Sequence, residues 1–153
     1  AKLASLMARG TEFLGCESAI LCGAMSWVSE RHLVSAISNA GGFGVIACGA
    51  MSPELLDAEI AATRALTDKP FGVNLTILPT LVPRPYGEYV DAICDSGVKI
   101  VETAGNNPKP FLPKLKEHGI VPMSYEDALP FVRREPVKNL STFFSSQAVL
   151  QTR

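Results

Sequence analysis

Apolar positions along this 153-residue chain gather into short continuous runs, each followed by a stretch where they recur every three or four residues. The runs occupy residues 19–22, 45–48, 71–75, 98–101 and, as a fifth, 120–123. They are too short for helices and do not alternate with polar residues. They therefore predict parallel strands covered on both faces. Between them, Leu33, Val34 and Ile37 share one helix face, and Leu56 and Ile60 share another. Tyr86, Tyr89, Val90, Ile93 and Cys94 fall at full amphipathic spacing, and Phe111 with Leu115 marks a fourth helix. The runs begin roughly 22–27 residues apart, the length of one strand–helix unit.

Punctuation supports the pattern. Ser29 is placed to cap the first of these helices, and Gly41 and Gly42 to stop it, one of them at positive φ. Ser52-Pro53-Glu54 joins an N-cap to a proline at the first helical position and an acid in the first turn. Gly97 and Gly119 close the last two helices. Residues 76–85 (TILPTLVPRP) form a proline-rich loop of the length that often carries function. The alternation leaves two α/β architectures: an open doubly wound sheet, or a (β/α)8 barrel of about 250 residues. Four or five units make at most part of such a barrel.

The stretch AGGFGVIACG spells Gly42-x-Gly44-x-x-Ala47, a dinucleotide fingerprint as text. That fingerprint works only after a strand and before a helix, where phosphate meets the helix N-terminus. Here the glycines follow a helix and open a strand, so an αβ turn is the reading. The ends of the runs are richer in chemistry. Gly23, Ala24 and Met25 follow the first, and Cys48-Gly49-Ala50 the second. Asn74 lies within the third, and Thr103-Ala104-Gly105-Asn106-Asn107 follows the fourth. In a parallel α/β fold these ends share one rim, where ligands bind. Small residues there let a planar molecule reach bare backbone. Asn74 either serves that ligand through its amide or ties two loops together. Glu102 ends the fourth run, where facing the same site is the lesser of its two readings. Trp27 and Met25 lie against a ring there, or Trp27 packs as core or lid.

Composition narrows the partners. The chain is 47% hydrophobic and 19% charged, with a net charge of -1. No basic patch suggests nucleic acid, and no apolar run reaches a bilayer's thickness. The first residues lack the apolar centre of a signal peptide, so a cytoplasmic location is the expectation. Cys16, Cys22, Cys48 and Cys94 form no C-x-x-C pair, so Cys22 and Cys48 read as buried thiols and no metal site is expected. His32, His118, Asp91, Asp95, Arg133 and Arg134 read as surface charge.

The segments ILCGAMSWVSERHLVSAISNAGGFGVIACGAMSPELL, TDKPFGVNL and VETAGNNPKPFLPKLKEHGI together resemble the FMN-dependent nitronate monooxygenase family, formerly 2-nitropropane dioxygenase. That family takes in a related flavin-dependent enoyl-acyl-carrier-protein reductase. The resemblance implies a partial (β/α)8 barrel of four to five units, with FMN at the carboxyl-end rim. It implies that the turn of Gly23, Ala24 and Met25 lies against the flavin ring and that Asn74 contacts the flavin. Thr103 and Gly105 would lie near the ring or substrate. The implied activity is oxidation of alkyl nitronates with dioxygen. A flavin-dependent enoyl-thioester or quinone reductase using NAD(P)H, and a non-catalytic remnant or assembly module, stay open beside it.

The resemblance is drawn over residues 12–120. Residues 1–120 are expected to be the N-terminal half of the flavin barrel, and residues 121–153 a divergent tail. The histidine base and the phosphate-binding glycine loops that the resemblance implies find no match in that tail. An incomplete version of the enzyme is therefore expected, with weak FMN binding and possible rescue by self-association. Within the tail, Ser124 and Asp127 are placed to cap a short helix.

Overall fold

A computed structural model describes residues 2–78 and 83–123, with side chains from Ser5 onward. The tail after Met123, with its Ser124 cap and Arg133-Arg134 pair, and the middle of the 76–85 loop lie outside the described residues. Five parallel strands form one sheet: β1 (Leu21–Cys22), β2 (Phe43–Ala47), β3 (Phe71–Ile77), β4 (Ile100–Gly105) and β5 (Val121–Met123). Their order in space is their order in sequence. β5 continues the sheet past residue 120, with Val121, Pro122 and Met123 opposite Ile100, Val101 and Glu102.

Helices alternate with the strands: α1 (Lys2–Leu14), α2 (Arg31–Asn39), α3 (Pro53–Leu66), α4 (Tyr86–Asp95) and α5 (Leu112–Glu117). Right-handed crossovers between strands laid down in sequence put every connecting helix on the same face. A doubly wound sheet would need its order to reverse, and this one does not. The architecture is therefore part of a (β/α)8 barrel. Val34, Leu56, Ile60, Tyr89, Val90, Ile93 and Leu115 from α2 to α5 pack against Ile46, Val73, Leu75 and Val101 of the sheet. The other face carries a smaller cluster of Leu14, Ala24, Phe43, Val45, Ala47 and Ile100.

Local chemistry explains most boundaries. Ser52 caps α3, its hydroxyl accepting the Leu55 N–H at 3.3 Å, with Pro53 and Glu54 in the first turn. That hydroxyl also holds the Glu54 carboxyl below its usual range. Gly41 takes φ +86° and turns the chain from α2 into β2, which is the role expected in place of a nucleotide fingerprint. Gly44 faces α2, where a Cβ would come within 2.6 Å of the Val34 carbonyl oxygen. Its missing side chain serves helix–strand packing.

Two expectations are corrected. Ser29 does not cap α2. The cap is Glu30, whose carboxylate accepts from the His32 and Leu33 N–H groups. Ser29 lies one residue further out, buried and committed elsewhere. The amino terminus, read only for the absence of a signal peptide, is helical: α1 runs to Leu14 and ends at Gly15, φ +68°.

Candidate functional site

The carboxyl ends of β1 to β4 converge as expected, and their register sets a row of side chains. Ala47, Asn74, Glu102 and Met123 stand opposite one another across β2, β3, β4 and β5. Because strand side chains alternate, this row shares the helix-free face with Val45 of β2 and Ile100 of β4. Ala24, just past β1, belongs to the same cluster.

Asn74 is only 4% exposed, so its amide needs partners. The Thr76 hydroxyl donates to Asn74 Oδ1, and Asn74 Nδ2 donates to Glu102 Oε2 at 3.1 Å. The first bond fixes which end of the amide faces Glu102. Asn74 thus ties two strands rather than two loops. Burial pushes the Glu102 carboxyl above the usual carboxylate value. The bonds from Asn74 and from the Ala24 main chain only partly pull it back. Asn74 and Glu102 are therefore a hydrogen-bonded pair from two separate units, on the face that also carries Ala24.

The bare turn after β1 is rigidly held. Ser29 Oγ accepts the Met25 N–H at 3.0 Å and donates to the Gly23 carbonyl at 3.3 Å. The Ser29 carbonyl accepts the Ala47 N–H at 3.0 Å, anchoring the turn to the end of β2. The Met25 carbonyl accepts from both Val28 and Ser29 N–H groups. One buried serine thus fixes Gly23, Ala24 and Met25 with no side chain of theirs involved. Met25 itself is 42% exposed. Trp27 is 78% exposed and adopts φ 64°, a left-handed conformation costly for a bulky residue. That exposure excludes core packing for Trp27.

Thr103 and Gly105 sit differently. Thr103 alternates with Glu102, so its side chain points to the helical face, where its hydroxyl donates to the Met123 carbonyl at 3.4 Å. Gly105 has φ +84°, and a Cβ there would fall 2.1 Å from the Ile77 carbonyl oxygen. Its lack of a side chain is required by β3 before any ligand is considered. Of the expected residues, then, the structure places Ala24 and Asn74 on the same helix-free face, and Ser29 holds Gly23 and Met25 in the turn around Ala24. Thr103 and Gly105 contribute backbone at the neighbouring strand end.

A second strand-end tether was not expected. The Arg84 guanidinium donates to the Gly49 and Met51 carbonyls and to the Tyr89 hydroxyl, pinning the turn after β2 to α4. Arg84 follows a proline in the 76–85 loop, and nothing in its neighbours signals a partner 35 residues away. All four cysteines are free; Cys48 is buried, Cys22 is half-buried, and burial pushes the Cys48 thiol up to about 11. A cleft of about 670 Å³ opens at the opposite, amino-terminal end of the strands, beside Phe13, Phe43, Arg64, Lys99 and Val121. It holds none of the strand-end groups, so volume does not mark the chemistry here. Among the described residues, no helix is long and apolar enough to cross a membrane.

Comparison with known proteins agrees with this geometry. The profile of the nitronate monooxygenase family matches residues 8–142. A (3aS,4S,5R,7aS)-5-hydroxy-7a-methyl-1-oxo-octahydro-1H-indene-4-carboxyl-CoA dehydrogenase of Mycobacterium tuberculosis is 36% identical over 72% of this chain and 30% of that protein. A nitronate monooxygenase of Pseudomonas aeruginosa is 46% identical over 44% of this chain and 19% of its own length. The solved structure of FabK from Thermotoga maritima superposes with a TM-score of 0.71 at 35% identity, over 82% of this chain and 40% of FabK. The chain spans less than half the length of each.

Proposed function

We propose that this chain, which belongs to the nitronate monooxygenase family, carries the ring-binding corner of an FMN-dependent oxidoreductase that oxidises alkyl nitronates with dioxygen. The observation that carries the reading is the corner itself. A side-chain-poor turn, locked by Ser29, lies beside a buried, oriented Asn74 on the helix-free face at the carboxyl ends of parallel strands. A flat ring needs such a clearing, and its polar edge needs a fixed amide, so the residues fit the flavin.

In this reading the main chain of Gly23, Ala24 and Met25 lies along the ring. Asn74, held from behind by Thr76, presents its amide to the ring's polar edge. The backbone of Thr103 and Gly105 closes the β4 side. Met25 and Trp27, both exposed, shield the ring from water. When bound, FMN supplies the redox chemistry, and these residues bind and orient it. They grip the ring rather than the phosphate, whose charge-assisted contacts normally add much of the affinity. Riboflavin and FMN should therefore bind the 153-residue chain weakly and with similar affinity. Flavin fluorescence quenching on titration tests this. Sub-micromolar FMN binding would contradict the weak grip, and no quenching at millimolar flavin would overturn the ring site.

A second reading is oxidoreduction of a thioester. It is favoured by the relative named as a carboxyl-CoA dehydrogenase, which aligns over 72% of the chain. Oxygen uptake with an alkyl nitronate, set against flavin reduction by a CoA thioester or by NADH, separates the two. An assembly larger than one chain is part of the proposal, since β1 and β5 each end the sheet with an unpaired edge among the described residues.

A further inference from the structure

We propose that Arg84 is a positioning residue of the ring-binding corner: acting through Gly49 and Thr76, it fixes the orientation in which Asn74 presents its amide. The proposal rests on reading the corner as a flavin site. The contacts themselves stand without the flavin.

Asn74 Oδ1 accepts from the Thr76 hydroxyl, so the direction of the amide follows from where Thr76 stands. Thr76 is half-buried near the end of β3, on the same face as Asn74. In the turn after β2, Gly49 stands beside it. A Cβ on Gly49 would lie 3.9 Å from Thr76 Cβ and 4.0 Å from its Oγ1, both ordinary van der Waals contacts. Any drift of Gly49 therefore changes the wall against which Thr76 rests.

Arg84 holds Gly49 from behind. Its Nη1 donates to the Gly49 carbonyl, and its Nη2 donates to the Met51 carbonyl at 3.1 Å. Nη2 also donates to the Tyr89 hydroxyl at 3.0 Å, and that hydroxyl donates to the same Met51 carbonyl. Tyr89 is 3% exposed on α4, so the triangle is anchored in the core. Two carbonyls two residues apart need donors at a fixed spacing. A planar guanidinium has them, and an ammonium offers a point charge. Among the described residues Arg84 pairs with no carboxylate, so its donors serve backbone geometry. Nor is the tether needed to keep α3 and α4 together, since Leu56, Ile60, Val90 and Ile93 already share one core. What it adds is the placing of the turn.

The test is a double-mutant cycle on the 153-residue chain. It is read by riboflavin binding and by the Asn74 side-chain amide signal of a ¹⁵N-labelled sample. Thr76→Val removes the last link while keeping the shape, and Arg84→Ala removes the first. Each should weaken riboflavin binding about fivefold and shift the Asn74 signal, and the double variant should be little worse than either alone. Arg84→Lys should behave as Arg84→Ala. Millimolar guanidinium chloride should restore Arg84→Ala but not Thr76→Val, and sodium chloride should restore neither. Ile93→Val, a core truncation at a fully buried position of α4, should lower stability and leave both readouts as in the parent. Additive losses in the double variant, or an Asn74 signal indifferent to Arg84→Ala, overturn the positioning role. Ile93→Val matching Arg84→Ala in both readouts does the same. If the parent chain binds no riboflavin while the Asn74 signal responds as expected, the relay stands and the flavin reading falls.

Discussion

The two faces of the sheet each carry a carboxylate withdrawn from water, Glu59 buried and Glu102 half-buried, and they treat it in opposite ways. On the helical face, Glu59 of α3 is 4% exposed. Its Oε1 accepts the Arg31 N–H at 2.6 Å, and its Oε2 accepts Nε at 3.0 Å and Nη2 of the same arginine. Burial alone would raise this carboxyl. The Arg31 side chain, main chain and charge together outweigh it and hold Glu59 below its usual range. On the helix-free face, Glu102 accepts from Asn74 but forms no ion pair among the described residues, and burial wins. One face closes its polar accounts internally with a fork-shaped partner. The other leaves a carboxylate in an environment that disfavours its charge, as sites that await a ligand do. A carboxylate withdrawn from water therefore says nothing about its role until the partners are named.

That contrast can be broken experimentally, and the largest effect should come from the helical face. Leu75 adjoins Asn74 in β3 but points the other way, fully buried against the helices. Leu75→Ala should lose about 3 kcal/mol of stability by urea denaturation. Asn74→Ala should lose less stability but most of the flavin binding. Equal stability losses at both positions would erase the distinction between faces.

Next is Glu59→Ala, which removes the helix-to-helix tie between α2 and α3. Arg31 is left partly solvated, with 38% of its side chain exposed. The expected loss is therefore about 2 kcal/mol, below the full penalty of an orphaned buried charge.

The pH dependence of stability sharpens the comparison further. Glu59 is depressed in the fold, so its contribution is present above the unfolded value near 4.5 and is lost as pH falls through its lower folded value. Glu102 is raised, so the folded chain holds that proton more tightly than the unfolded one. Its ionisation should lower stability as pH climbs from 4.5 through its folded value. Urea midpoints measured across this range should fall in the parent chain and lose that slope in Glu102→Gln. A parent midpoint that rises across the same interval would place Glu102 with the ordinary carboxylates.

The smallest effect should be at Trp27. Replacement by glycine relieves its positive φ and gives up little buried area. Trp27→Gly should be neutral or more stable by up to about 1 kcal/mol while weakening flavin binding. Clear destabilisation in a melting experiment would show that the indole packs where the exposure says it does not.

Much of the fold was legible because its signals are local. Gly41, Gly97 and Gly119 all take positive φ where helices end. Ser52-Pro53-Glu54 starts α3 as its residue types require. Helix α1 was harder: KLASLMARGTEFL has Gly10 in its middle and no acid in its first turn. That glycine makes sense only in three dimensions, since a Cβ there would meet Ala19 Cβ at 2.6 Å. Ser29 shows the same limit. A serine ahead of a helix suits an N-cap and a turn equally well. Glu30 took the cap, and the turn before it claimed the hydroxyl.

The sequence by itself determined the alternation of parallel strands and helices, the side-chain-poor turns at the strand ends, and the presence of an asparagine and a glutamate among them. Those follow from periodicity, glycine placement and residue type, all properties of neighbours along the chain. Only the tertiary structure decided that Asn74 and Glu102 pair on the face that also carries Ala24, that Thr103 faces away, and that Glu59 has a cation while Glu102 has none among the described residues. Register fixes which side chains stand abreast and curvature fixes which strands approach across the concave face. Both arise from packing the whole sheet against its helices, so no short stretch of the chain can carry them.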